Sequence, residues 1–138
     1  MPGCAKEEHT SLKDRVLTII ETNSSGCKES LKSSDVDRYI ELKAEGDNQL
    51  RVKFINAYLN CAGLDSTDAV INEGILKVVF IEDISANCMC YFDLECLIDS
   101  MENMTYKLEV YAHGEKPQAK LSFTYSNRLD SKIYISDN

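Results

Sequence analysis

The sequence predicts an all-β fold in which two sheets pack face to face as a sandwich. Two observations support this prediction. From about Val36 onward, short segments alternate apolar and polar residues, which is the pattern of half-buried strands. Turn-forming residues separate these segments, and no helical segment long enough to connect parallel strands lies between them. We therefore expect one domain of about seven strands.

The size and charge of the chain fit a single soluble domain. Its 138 residues, 43% of them hydrophobic, are enough for one core. Asp and Glu outnumber Lys and Arg by 23 to 15, and no basic run is present. Nucleic acid is therefore excluded as a leading partner, because its binding depends on clustered positive charge. No apolar run approaches the roughly 20 residues that cross a bilayer, so we expect any membrane contact to depend on a tether.

The first residues predict such a tether. Gly3 and Cys4, followed by a small residue and then charged ones, match a bacterial lipoprotein after signal-peptide processing, in which the cysteine carries the lipid. We expect residues 1–14 to be a flexible linker and Cys4 to be lipidated, which would hold the protein on a membrane of the bacterial cell envelope, in the periplasm or at the cell surface. The alternative is an ordinary exposed cysteine in a flexible terminus.

The segment after this linker is ambiguous between helix and strand. Leu12, Val16 and Ile19 have helical spacing, whereas VLTII is rich in β-branched residues. We favour a linker that runs into a first strand, with the sandwich domain spanning residues 15–138. A polar loop around Cys27 follows.

The next segments predict a hairpin and a central strand. DRYIELKA alternates through Ile40 and Leu42, EGDNQ supplies the turn, and LRVKFINAYLNC continues as the second strand. The apolar parity changes after Phe54, which indicates a β-bulge or a strand buried on both faces. We expect a long loop over AGLDSTDA. A central strand over VINEGILKVVFIED would follow, with Gly74 at its start or at a bulge.

The last segments complete the sandwich. SANCMCYFDLECLID alternates strictly and places Cys88, Cys90 and Cys96 on the apolar face, so the cysteine face should be the core face. MTYKLEVYAH, AKLSFTYS and KIYIS predict three further strands. Six or seven short strands with turns between them favour a sandwich that is loosely immunoglobulin-like.

Strand geometry limits how the cysteines can pair. Cys88 and Cys90 are two residues apart on one strand, so their Cβ atoms should lie about 6 to 7 Å apart, whereas a disulfide needs roughly 3.5 to 4.5 Å. We expect each to bond a distant partner, and Cys27 and Cys61 are the candidates. Which cysteine bonds which stays open. Cys96 is then a buried thiol that packs as a small apolar side chain.

A cysteine-based metal site is the alternative function. Cys61, Cys88 and Cys90 offer zinc or copper ligands in a reducing compartment, but CxC is not the spacing of a structural zinc knuckle. The chain has only two histidines, His9 and His113. We expect no metal ion and no other cofactor. The sequence also contains no glycine-rich phosphate loop, GxSxG elbow or HExxH motif, and we expect a non-catalytic protein.

Three tyrosines mark the candidate binding surface. Tyr91, Tyr111 and Tyr134 fall on the outward parity of their strands, where amphipathic rings favour contacts with a protein or a glycan. The alternative is burial of these rings in a second sheet contact. We expect a binding or structural module whose partner is an unidentified protein or glycan.

The cysteine motifs resemble those of a known group of proteins. GCK at residues 26–28, Asn60–Cys61 and CMCYFD at residues 88–93 are similar to a pattern in small uncharacterised lipoproteins of Bacteroides-type gut bacteria. The likeness spans residues 25–112. The chain has Phe92 where these lipoproteins usually have Tyr, and Cys96 where a larger apolar residue is common. The resemblance implies a secreted or lipid-anchored β-sandwich with room for two bridges, and it implies no activity.

Overall fold

A computed structural model describes residues 12–28 and 36–135, and these residues form an all-β sandwich, which confirms the predicted fold class. The described residues form ten strands rather than about seven. They are β1 (Arg15–Leu17), β2 (Ile19–Ser24), β3 (Tyr39–Glu45), β4 (Gln49–Asn60), β5 (Leu64–Asn72), β6 (Ile75–Glu82), β7 (Met89–Ile98), β8 (Thr105–Tyr111), β9 (Ala119–Thr124) and β10 (Asp130–Tyr134). In the described ranges, no helix is long and apolar enough to pass through a membrane.

The strands are divided equally between two sheets. Sheet A has the order β1-β5-β6-β8-β9, and sheet B has the order β10-β3-β4-β7-β2. Neighbouring strands are antiparallel, except that β6 and β8 are parallel. The exception arises because the chain leaves sheet A after β6, forms β7 in sheet B and then returns to sheet A as β8.

The chain passes from one sheet to the other at both flanks of the sandwich. On one flank, β1 of sheet A and β2 of sheet B are separated by Thr18 alone, whose carbonyl oxygen accepts a hydrogen bond from the N–H of Asp99 at 3.0 Å. On the other flank, residues 125–129 connect β9 to β10. The hydroxyl of Tyr125 donates to the carbonyl oxygen of Gln49 at 2.9 Å, which ties this crossing to sheet B.

The core fills the space between the two sheets. The alternation in β3, β4 and β7 places every second side chain inward, as predicted, because successive side chains of a strand point to opposite faces. Burying one Leu or Phe side chain stabilises a fold by roughly 1.5–3 kcal/mol. The largest fully buried side chains are Tyr106, Tyr125, Phe54, Phe80, Ile40, Leu42, Leu50, Leu59, Ile71, Leu76, Leu94 and Ile98.

The structure decides the ambiguous N-terminal segment and corrects one expected loop. The ambiguous N-terminal segment forms strands β1 and β2, as favoured from its β-branched residues. The expected loop over AGLDSTDA was wrong, because β5 already begins at Leu64. Its inward positions are Thr67, Ala69 and Ile71, and the first two are too small or too polar to show as a hydrophobic pattern. The Thr67 hydroxyl is satisfied by that of Thr22 on β2, at 2.7 Å.

A β-bulge interrupts β4, which is one of the two explanations that the change of parity left open. The pairing of β4 with β7 shifts between Phe54 and Ala57. Between them, Asn56 has a φ of +59°, in the left-handed region that asparagine tolerates better than most residues. The bulge reverses the facing of the rest of β4, so that Ala57 and Leu59 point into the core.

Candidate functional site at the disulfide end and on the outer face of sheet B

Two disulfides join distant parts of the chain at one end of the sandwich, which we call the disulfide end. Cys27 is bonded to Cys90 across 63 residues, and Cys61 is bonded to Cys88 across 27 residues. The prediction that Cys88 and Cys90 bond separate, distant partners is confirmed, and the pairing that the sequence left open is thereby fixed. The Cα atoms of the two pairs are 5.5 and 5.4 Å apart, within the usual range for disulfides.

The strands of sheet B place the four cysteines together. Cys61 follows β4 and Cys88 precedes β7, and the N–H of Cys61 donates to the carbonyl oxygen of Cys88 at 2.9 Å, which extends the ladder between these strands. Cys27 follows β2, the other neighbour of β7. Main-chain bonds from Ser25 and Lys28 to β7 keep this segment beside Cys90.

The four sulfurs form one compact cluster. The Sγ atom of Cys90 lies 2.9 Å from that of Cys61, although the two belong to different bridges. The Sγ atoms of Cys27, Cys61 and Cys90 all lie within 4.8 Å of one another. The predicted metal-ligand set named Cys88 in place of Cys27. Cys90 is buried, Cys27 and Cys61 are half-buried, and Cys88 is exposed.

Of the remaining two cysteines, Cys96 is among the residues that the structure describes. Cys96 is a free thiol in the core, as predicted, and burial raises the pKa of its thiol to about 12. Such a thiol is inert, because the thiolate is the reactive form. Cys4, the predicted lipid site, and residues 1–11 of the predicted linker lie outside the described residues.

Beyond the bulge, side chains take the place of a neighbouring strand along one edge of β4. Strand β3 begins at Tyr39, opposite Ile55, so the later residues of β4 have no strand partner on that side. The carbonyl oxygen of Asn56 accepts a hydrogen bond from Nε of Arg38 at 2.8 Å. The N–H of Asn60 donates to Oε1 of Glu82 at 2.8 Å. This part of the edge is therefore closed by side chains of the same chain.

Four tyrosines lie on the outer face of sheet B, and we call them the tyrosine surface. The rings of Tyr58 and Tyr91 are 4.9 Å apart, and those of Tyr39 and Tyr134 are 5.2 Å apart. Tyr58 is 40% exposed and Tyr134 is 61% exposed. The sequence singled out Tyr91 and Tyr134 but missed their partners. The alternation of β3 already indicates that Tyr39 points outward, so the sequence could have identified it. The outward direction of Tyr58 depends on the bulge that precedes it in β4.

The third predicted tyrosine lies on the opposite side of the molecule. Tyr111 is on the outer face of sheet A, where it pairs in register with Val79. Its hydroxyl donates a hydrogen bond to Oε1 of Glu109 at 2.5 Å, and this bond raises the tyrosine pKa to about 12. The structure therefore brings Tyr91 and Tyr134 to one face and leaves Tyr111 apart from them.

Charged side chains cover the rest of the outer face of sheet B, around a groove of about 430 Å³. Arg51 is at its centre and donates hydrogen bonds to Glu45, Glu95 and Glu21. The bond with Glu45 contributes most to raising the pKa of Arg51 above its ordinary value, and the bond from Arg51 lowers the pKa of Glu45. Other residues that line the groove are Glu41, Lys43, Lys53, Asp130, Ser131 and Lys132.

The neighbouring acidic residue of β7 is paired as well. Asp93 accepts hydrogen bonds from Nζ of Lys28 at 2.7 Å and from the N–H of Asn56 at 3.1 Å. These pairings keep the face close to neutral locally, with both signs of charge beside the tyrosines.

These parts combine a covalently stapled scaffold with an exposed aromatic face. The two disulfides are consistent with an extracellular or periplasmic location, because such bonds persist in oxidising compartments. Tyrosine offers a large amphipathic contact area with few rotatable bonds. A scan of family models, a search of curated proteins and a search of solved structures each found no match to this chain.

Proposed function

We propose that this chain is a lipid-anchored, non-catalytic binding module of the bacterial cell envelope. The pair of disulfides at one end of the sandwich is the observation on which the proposal rests. Structural disulfides form in exported proteins and are rare where thiols are kept reduced. Gly3 and Cys4 supply the sequence of a lipidation site.

A lipid on Cys4 would hold the sandwich close to a membrane surface. Each buried methylene of an acyl chain contributes about 0.8 kcal/mol to membrane binding. Residues 5–14 separate Cys4 from the start of β1, and ten residues span at most about 35 Å. The module would therefore act within a short distance of its bilayer.

A protein is the partner that the tyrosine surface suits best. Tyrosine and arginine are enriched at protein interfaces, and paired charges are typical of the polar rim. The rings within the two tyrosine pairs are tilted by 46° and 49°, so neither pair presents the flat aromatic platform on which a sugar ring would stack. The groove around Arg51 would supply that rim with charges of both signs.

Fatty-acid labelling tests the anchor. Cells that make the full protein are fed an alkyne fatty acid, and the protein is isolated from membrane and soluble fractions. We expect the wild type to carry the label in the membrane fraction, and Cys4→Ser to lose both the label and the membrane association. Ser11→Ala, in the same N-terminal stretch, is the control and should retain both. Persistent labelling of Cys4→Ser would contradict the proposal.

The mass of the exported protein tests the bridges that support this location. Each disulfide removes two hydrogens, so the isolated protein should be lighter than its fully reduced form by the mass of four hydrogens. A smaller difference would mean that fewer than two bridges form in the cell.

Photo-crosslinking tests the binding face. A photoreactive amino acid replaces Tyr58, Tyr134 or Tyr111 in turn, in cells that make the protein. We expect one discrete crosslinked protein with the first two positions and none with Tyr111, which is the matched control on the opposite face. Equal crosslinking from all three positions, or none from any, would count against this face.

A thiolate metal site is the second candidate, and one observation favours it. Zn–S bonds of about 2.3 Å in a tetrahedral site place sulfurs roughly 3.8 Å apart, and the Sγ atoms of Cys27, Cys61 and Cys90 lie within 4.8 Å of one another. This candidate requires the reduced protein, because a bonded sulfur is not a thiolate. Stoichiometric zinc or copper in purified protein, abolished by Cys90→Ser, would support it. Metal-free protein after reduction and loading with zinc would reject it.

A further inference from the structure

We propose that the two disulfides form one thiol–disulfide exchange site, in which Cys61 can replace Cys27 as the partner of Cys90. The feature behind this proposal is the contact between the bridges, whose nearest sulfurs, those of Cys61 and Cys90, are 2.9 Å apart. The proposal goes beyond the anchored binding module and does not depend on it. Its external substrate is a dithiol reductant.

The geometry favours this exchange over a bond between Cys88 and Cys90. Since a disulfide bond is about 2.05 Å long, the sulfurs of Cys61 and Cys90 need to approach by only about 0.9 Å. The two residues lie on neighbouring strands, because Cys90 is paired with Leu59 and Cys61 comes two residues later. Cys88 and Cys90 lie along one chain segment, where Cβ atoms two residues apart are about 6 to 7 Å apart.

Differences in exposure set the order of the reaction. Cys88 is exposed, so an external dithiol meets its sulfur first. One thiolate of the reductant bonds to Cys88 and releases Cys61 as a thiolate. The second thiol of the reductant then displaces Cys88. The reductant leaves as its own disulfide, and both cysteines gain a proton, so that two electrons have passed to the protein.

The second step is internal and needs no further reductant. The thiolate of Cys61 attacks Sγ of Cys90, the Cys61–Cys90 bond forms, and the Cys27–Cys90 bond breaks. Cys27 leaves as a thiolate and takes up the proton that Cys61 has lost. Cys27 is the better leaving group, because it is half-buried while Cys90 is buried, and a thiolate is favoured where solvent reaches it.

The exchange would free one chain segment from sheet B without opening the core. After it, no disulfide would hold the described segment around Cys27 to β7. The main-chain hydrogen bonds of Ser25 and Lys28 would remain, together with those that join Asp93 to Nζ of Lys28 and to Oγ of Ser25. The new bridge would still connect β4 with β7, which are already paired over most of their length. The chemical signature is therefore specific: a free Cys27 together with a bonded Cys61.

Two single variants give a matched test in the full chain with Cys4→Ser, which removes one further thiol. Cys88→Ser and Cys61→Ser each abolish the same bridge, so their losses of stability should be similar. Cys88→Ser leaves a free thiol at Cys61, next to Cys90. Cys61→Ser leaves one at Cys88, which is too far along the chain from Cys90. Acid quenching, alkylation and peptide mapping by mass spectrometry then identify the bonded pairs.

In Cys88→Ser we expect a Cys61–Cys90 bond together with alkylated Cys27. The amount of this bond should be at least ten times the amount of any Cys88–Cys90 bond found in Cys61→Ser. If Cys88→Ser retains only Cys27–Cys90, with alkylated Cys61, the proposal is overturned. A Cys27–Cys61 bond would overturn it as well, because the attack would then have occurred on the wrong sulfur.

The wild type provides a second measurement if either variant fails to fold. Limited reduction with dithiothreitol, followed by the same quenching and mapping, isolates species with one remaining bridge. These species should include Cys61–Cys90. If only Cys27–Cys90 and Cys61–Cys88 are found among them, the two bridges are independent and the exchange site is rejected.

Discussion

The side-chain amide of Gln118 pairs with the main chain of Tyr58. Oε1 of Gln118 accepts a hydrogen bond from the N–H of Tyr58 at 3.2 Å, and Nε2 donates to its carbonyl oxygen at 2.6 Å. A neighbouring antiparallel strand would make the same two bonds. Arg38 also donates to Oε1 of Gln118, which fixes the amide in this orientation.

Replacing this amide should weaken the fold. We expect Gln118→Leu to lower the free energy of unfolding by about 1 kcal/mol, because both main-chain groups of Tyr58 lose their partner while water reaches them in part. Urea denaturation measures the change. Lys120→Ala, at an exposed position of β9, is the control and should stay within about 0.5 kcal/mol of the wild type. An equal effect of the two substitutions would show that Gln118 does not support the edge.

Removing the positive charge of Arg51 from the charged groove should destabilise the fold more than Gln118→Leu does. The side chain of Arg51 is 15% exposed and forms ion pairs with Glu21, Glu45 and Glu95. We expect Arg51→Met to lower the free energy of unfolding by about 1–3 kcal/mol at neutral pH, because it leaves three carboxylates without their shared partner. Lys132→Met is the control.

The Lys132→Met control tests whether the loss of stability depends on a place in the ion-pair network around Arg51. Nζ of Lys132 lies 4.0 Å from Glu41 and 4.7 Å from the ring centroid of Tyr39, and the side chain is 46% exposed. Lys132→Met should therefore change the free energy of unfolding by less than about 1 kcal/mol. If the two substitutions cost the same, the network around Arg51 adds nothing beyond a surface ion pair.

The same network predicts a dependence on pH. The hydrogen bond from Arg51 lowers the pKa of Glu45 below its ordinary value of 4.5, so the folded state binds this proton less tightly than the unfolded state does. The resulting stability is complete above about pH 4.5 and is lost as the pH falls through the lowered value. We expect the difference in unfolding free energy between wild type and Arg51→Met to shrink on acidification below that pH. A constant difference would contradict the coupling.

Cys96 should be chemically silent in the folded protein. Burial raises the pKa of its thiol to about 12. With Cys4→Ser, Cys96 is the only thiol left outside the two bridges. We expect Ellman's reagent to detect almost no thiol in the native protein at about pH 8, and one thiol per chain after unfolding in guanidinium. Rapid reaction of the native protein would show that solvent reaches this part of the core.

The two bridges should differ in their contribution to stability. Loop-closure entropy assigns about 4 kcal/mol to the Cys27–Cys90 bridge and about 3.5 kcal/mol to the Cys61–Cys88 bridge, which spans fewer residues. We expect Cys27→Ala with Cys90→Ala to be more destabilising than Cys61→Ala with Cys88→Ala in urea denaturation. If removal of the Cys61–Cys88 bridge is the more destabilising change, loop-closure entropy does not determine which bridge contributes more.

Local patterns predicted those parts of the fold that local geometry controls. The alternation from Cys90 to Ile98 identified the inward face of β7, whereas Cys88, which was expected on the same face, precedes the strand and is exposed. The distance between neighbouring side chains on one strand excluded a bond between Cys88 and Cys90. Both conclusions depend only on the extended backbone. The parity change after Phe54 likewise indicated either a bulge or a strand buried on both faces, and the bulge is present.

The remaining parts depend on the order of strands in the sheets, which no local pattern contains. β2 lies beside β7, and this neighbour relationship brings Cys27 to Cys90 rather than to Cys88. The tyrosine surface also needs the sheet order, because it assembles Tyr39 and Tyr134 from adjacent strands distant in sequence. β5 was missed because its inward Thr67 and Ala69 carry too little apolar surface to reveal a strand.

The Cys27–Cys90 bridge sets how far mechanical load can travel through the molecule. Tension applied at the N-terminus would first peel β1 from β5, and then β2 from β7, because these two strands come first in the chain. Separation of the strands would stop at Cys27, because the disulfide transmits the force to β7. Strand β7 is hydrogen-bonded to β4 along most of its length. Under such tension the domain would lose two outer strands and keep the remaining strands of the sandwich paired.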